Sequence, residues 1–181
     1  MNSERDTSLG RGVCFAPDDY IRGRWRVLIV VIDLLVIIAT WMLSSVVLFV
    51  IRSGHIDELD LTLLGLFLAW IYLTVVKTSR IGTVGYWLTG SKIVDLRGGK
   101  PSILCMTYRL LIGLFGPFRL LIDYVWSGVD DDKQTLHDRF AGTCVVRRKA
   151  VQSGTGEIHL TCYTGMGLVL MYPRVTRVDA T

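Results

Sequence analysis

The stretch Val27–Ile51, VLIVVIDLLVIIATWMLSSVVLFVI, holds a single ionisable residue, Asp33, in an otherwise apolar run. A run of about 18 or more apolar residues is long enough to cross a bilayer as a helix. A second run, Leu61–Lys77, is shorter. Leu59 and the aliphatic stem of Lys77 extend it enough to cross as well. With 51% hydrophobic residues overall, composition sits close to that of soluble proteins, so distribution decides the class. The fold expected is an all-α membrane protein with two transmembrane helices, a third hydrophobic segment and short cytoplasmic β-like elements. The first run does not read as a secretory signal, because a long polar segment precedes it and no small-residue cleavage site follows.

The net charge of +4 is distributed by position. Arg5, Arg11, Arg22, Arg24 and Arg26 precede the first run, and only Arg52 lies between the two. Lys77, Arg80, Lys92, Arg97 and Lys100 follow the second. Positive charge marks the cytoplasmic side, so a multi-pass protein of the cell membrane is expected, with its N-terminus and C-terminus cytoplasmic. The acidic loop of His55, Asp57, Glu58 and Asp60 then lies outside. The basic charge is topological, toward the lipid bilayer and its anionic head groups, and a nucleic-acid partner is not expected. Tyr20, Trp25, Trp70, Tyr72, Tyr86, Trp87, Tyr124 and Trp126 flank or end apolar stretches, as membrane-interface aromatics do.

A third apolar segment, Ile103–Trp126, carries Arg109, Arg119 and Asp123, and Gly116-Pro117 breaks its middle. Both flanks are basic, which favours a re-entrant or interfacial hairpin over a third span. The domain reading follows: a polar N-terminal tail at 1–19, a membrane domain at 20–149 and a C-terminal cytoplasmic tail at 150–181. The N-terminal tail is expected to be loosely ordered. Lys92–Leu96 alternates weakly, as a short strand does. Glu157–Tyr163 and Leu168–Tyr172 flank Thr164-Gly165-Met166-Gly167 and suggest a small β-hairpin.

Arg26 and Asp33 are seven residues apart, about two helical turns, and so share a face. Thr40 and Ser44 continue that polar stripe. A carboxylate this deep in an apolar helix must pair with a cation, be hydrogen-bonded or take up a proton. It is either a structural pair with an arginine of the third segment or a cation or proton site. The segment Gln134–Thr143, QTLHDRFAGT, places His137 beside Asp138; such residues more often cap helices than form a pH-sensitive pair. The glycines of Gly82-Thr83-Val84-Gly85 lack the spacing of a nucleotide loop. Cys14, Cys105, Cys144 and Cys162 show no paired spacing and read as free thiols, with no metal site. No nucleophile–base arrangement is present, so no enzyme and no cofactor are expected.

Together these residues resemble the RDD family of membrane proteins, named for one arginine and two aspartates. The matching positions are Arg26, Asp33 and Asp138, with IGTVGYWLTGSKIVDLRGGKPS similar to the family's glycine-rich loop and Arg109 at a frequent arginine position. The likeness spans about Tyr20 to Arg148. Tyr86 and Trp87 stand where the family usually has a basic pair, which favours interfacial anchoring over anion contact. The resemblance implies a small multi-span protein for which transport has been suggested, some members being linked to sodium–proton exchange. Two functions are therefore carried forward. One is transport or ion handling through a buried cluster of Arg26, Asp33 and Asp138, supported by Arg109, His137, Thr40 and Ser44. Two spans enclose no pathway, so this version needs a homo-oligomer or a membrane-protein partner, and the sequence names no ligand. The other is a non-transporting scaffold or accessory subunit in which the same cluster is a brace.

Overall fold

The computed structural model describes residues 9–54, 57–114, 134–165 and 168–176. The Gly116-Pro117 break, Arg119, Asp123 and the second half of the third apolar segment lie outside the described residues. The chain divides into two compact units, Arg24–Thr89 and Met1–Gly23 with Gly90–Thr181.

The first unit is built on two helices. The run that opens the sequence reading becomes α1 (Gly23–Ile51), 29 residues long, and the second becomes α2 (Glu58–Trp70), prolonged by a π-helical segment over Ile71–Val76. At a rise of about 1.5 Å per residue, α1 measures about 43 Å and the second helix about 28 Å, so both are long enough to cross the hydrocarbon core. A core helix of a soluble protein would pass the same test of length but would be covered. Here the most apolar windows are 0% and 6% buried, which makes the two helices candidate membrane spans. The helices are tied by Trp41, whose indole N–H donates to the Leu61 carbonyl at 3.1 Å. Gly65 lies under that ring: a Cβ there would stand 2.9 Å from the indole nitrogen. Small residues at helix contacts let the backbones approach closely. At the connecting turn Arg52 pairs with Asp60. After the second helix, a glycine-rich stretch leads into α3 (Val84–Leu88).

The second unit is largely β. β1 (Arg11–Phe15), β4 (Gln152–Gly165) and β5 (Leu168–Val175) form an antiparallel sheet in the order β1-β4-β5. β2 (Ser91–Asp95) pairs antiparallel with β3 (Thr143–Arg147), Ser91 opposite Arg147 and Asp95 opposite Thr143. The Val13 N–H donates to the Leu96 carbonyl at 2.8 Å, linking β1 to the end of β2. Phe15, Tyr20, Val94, Cys144 and Val146 make the core, with Phe15 and Tyr20 meeting edge to face. Among the described residues the unit also holds the short helices α4 (Ile103–Leu114) and α5 (Leu136–Phe140).

The all-α expectation is too narrow: the described residues hold five strands beside the helices. The expected strand near Lys92 and the expected C-terminal hairpin are present, the hairpin longer than the alternating stretches suggested. The N-terminal stretch expected to be loosely ordered supplies β1. Its partner lies near the other end of the chain, and pairing over such a separation leaves no local pattern to read.

Candidate functional site

Asp33 lies on α1, seven residues beyond Arg26, and is only 2% exposed. Its carboxylate is surrounded by donors from the elements that follow in the chain. Oδ1 accepts the Tyr72 hydroxyl at 3.1 Å and the Gly85 N–H at 2.9 Å, and Oδ2 accepts the Thr83 hydroxyl at 2.9 Å. The Lys77 ammonium stands 4.0 Å from Oδ2 and 4.8 Å from the centre of the Tyr86 ring. Tyr72 in turn accepts the Val84 N–H at 3.0 Å, so one phenol links the loop backbone to the carboxylate.

Local sequence explains the assembly. Thr83 is the N-cap of α3, its hydroxyl accepting from the Tyr86 N–H while donating to Asp33. The first N–H groups of a helix have no intrahelical acceptor, and Asp33 takes that of Gly85. Residue 85 must be glycine for the backbones to come this close. A Cβ there would sit 2.7 Å from Asp33 Oδ1 and 2.8 Å from the Ile29 carbonyl oxygen. The π-helical turn over Ile71–Val76 holds Tyr72; such turns are rare and frequent at functional sites. Arg26 is half-buried, Ser44 half-buried and Thr40 exposed. Among the described residues a cation beside Asp33 is Lys77, whereas the sequence reading looked to an arginine of the third segment; of the two there, Arg109 pairs with Asp138 and Arg119 lies outside the described residues.

That second pairing lies in the β-rich unit. Arg109 of α4 is 2.5 Å from Asp138 of α5, with Asp138 fully buried and Arg109 nearly so. Asp138 also closes a capping box: its Oδ2 accepts the Thr135 N–H, and Thr135 Oγ1 accepts the Asp138 N–H. The capping reading of this segment thus holds. His137 Nε2 lies 3.3 Å from Arg109 Nη2 and 3.2 Å from Thr135 Oγ1. Next to it, the Arg139 guanidinium donates to the Tyr172 hydroxyl at 2.9 Å and stacks on that ring, and burial lowers its pKa from the ordinary value. The Cys105 thiol of α4 donates to the Ala141 carbonyl at 3.0 Å, and burial pushes its pKa up.

Sequence reasoning had singled out Arg26, Asp33, Arg109, His137 and Asp138 but missed Tyr72, Lys77, Thr83, Gly85 and Thr135. Lys77 had been given the roles of lengthening a span and of marking the cytoplasmic side. Thr135 carried a legible signal, the Thr-x-x-Asp spacing of a capping box. Tyr86, expected among the interface aromatics, is 3% exposed beneath Lys77, and Tyr20 is buried in the β core. Trp25 and Trp87 are exposed, as interface aromatics require.

Two uncovered apolar helices, joined through an inward carboxylate to a glycine-bearing loop, fit a membrane protein. More particularly, the chain belongs to the RDD family, whose model matches residues 24–142. That match takes in Arg26, Asp33, Arg109, His137 and Asp138 and leaves β1, β3, β4 and β5 outside it. Comparison with curated proteins and with solved structures gave no match.

Proposed function

We propose that this RDD protein is a non-transporting membrane scaffold or accessory subunit, in which the family's charged residues brace the fold. One observation carries the reading: the groups around Asp33 are donors. Two hydroxyls, one backbone N–H and one ammonium converge on the carboxylate. A cation site for a hard ion is built from several oxygen ligands. Among the described residues the one carboxylate at this site is already used in holding the loop to the helix, and Lys77 occupies the position a transported cation would need. The setting suits an anion held in place.

The protein works in this reading as a multi-pass component of the cell membrane, its basic ends cytoplasmic, as the Lys/Arg distribution favours. It acts with a membrane-protein partner or with a second copy of itself, and not as an enzyme.

Asp33→Asn is the test. In purified protein the substitution should lower the melting temperature in detergent, because it removes the charge facing Lys77 and turns an amide donor toward other donors. Sodium and pH gradients should drive no flux through sealed vesicles carrying the wild-type protein. Gradient-driven flux in wild type that Asp33→Asn abolishes would overturn the scaffold reading in favour of transport.

A further inference from the structure

We infer that α4 lies in the plane of the membrane surface, with its outward face seated at the boundary between lipid head groups and acyl chains. The inference rests on the membrane reading above and adds a surface to it.

α4 is inside out for a helix on a water-soluble unit. Its single charged residue, Arg109, points inward to Asp138, and Met106 beside it is buried. The face turned away from the unit is apolar: Leu104 is 82% exposed, and Ile103, Tyr108, Leu111 and Leu114 are exposed with it. At 100° per residue, Leu104, Tyr108 and Leu111 fall on one stripe, with Ile103 and Leu114 along its edge. Rotation cannot hide this face, because the Arg109 ion pair and the Cys105 hydrogen bond to Ala141 fix the helix's orientation. Water is a poor partner for such a stripe.

Charge and residue type specify the occupant. Arg97 and Lys100, both exposed, precede the helix and complement anionic head groups. Tyr108, an aromatic with a polar tip, is of the type enriched at that depth. In-plane helices bury an apolar face about 5–10 Å into this boundary.

Spin labels read the depth directly. Leu104→Cys and Leu111→Cys, each in full-length protein with Cys14 and Cys162 changed to serine, are labelled and reconstituted into vesicles of phosphatidylcholine with a minority of phosphatidylglycerol. Collision with oxygen and with a water-soluble nickel complex is then compared at each site, with Leu35→Cys on the first span as reference. Expected is a preference for oxygen at both α4 sites, at a depth shallower than that of Leu35→Cys. Labels lying in water overturn the inference. So does a depth equal to the reference, which would make the segment a crossing, or shielding from both probes, which would mean that protein covers the face. A Leu35→Cys label lying in water would sink the membrane reading itself, a result distinct from any of these.

Discussion

Asp33 and Asp138 are both buried carboxylates of the family motif, yet each is satisfied differently. Asp33 takes neutral donors and a more distant ammonium, whereas Asp138 combines a close guanidinium with a capping box. Removing one partner of a buried ion pair leaves an uncompensated charge and costs about 3–5 kcal/mol. Arg109→Met and Asp138→Asn should each destabilise by that order, while the double variant costs clearly less than the two added together. A double-mutant cycle by detergent melting or denaturant titration checks this; additive losses would mean that the pair is not coupled. Gly85→Ala is a sharper test of the other carboxylate. Its methyl group would meet Asp33 Oδ1 and the Ile29 carbonyl, so the loop must move off α1. A loss of about 1–3 kcal/mol is expected, the usual range for overpacking. An unchanged melting temperature would show that the close approach is dispensable.

At the scale of elements, the long apolar helices were legible because a run of 25 residues with one charge admits few readings. The strand near Lys92 and the C-terminal hairpin were legible from alternation, with turn residues placing the ends. β1 was not, since its pairing with β4 is remote in sequence. The π-helical turn over Ile71–Val76 was not either, because nothing in IYLTVV distinguishes a π turn from an α-helix. α4 could be read as apolar but not as inside out: which of its faces is covered depends on what Arg109 meets. Its burial also governs reactivity. A raised pKa keeps the Cys105 thiol protonated to higher pH than an ordinary cysteine, and the thiolate is the reactive form. Cys105 should therefore alkylate more slowly than exposed Cys162 at neutral pH, and the difference should narrow as pH rises. Mass spectrometry of a maleimide or iodoacetamide time course reads both rates. Equal rates at neutral pH would contradict the burial.

At the scale of the whole molecule, the cysteines report sidedness unequally. Cys144 lies in the β core, so its silence toward an impermeant reagent carries no topological information. Cys162 is exposed on β4 and is the usable probe. With a cytoplasmic C-terminus, Cys162 should resist an impermeant maleimide in intact cells and label once they are opened; labelling in intact cells would place that terminus outside. The sequence by itself determined two helices long and apolar enough to cross a membrane, the family and the need for Asp33 to find a partner, because length, hydropathy and charge act locally along the chain. Tertiary structure decided which partner: Lys77 and the donors of the Thr83–Gly85 turn for Asp33, Arg109 for Asp138. The choice turns on angstrom-scale approach, a missing Cβ at Gly85 and a capped turn at Thr135, and none of these leaves a mark in hydropathy or spacing.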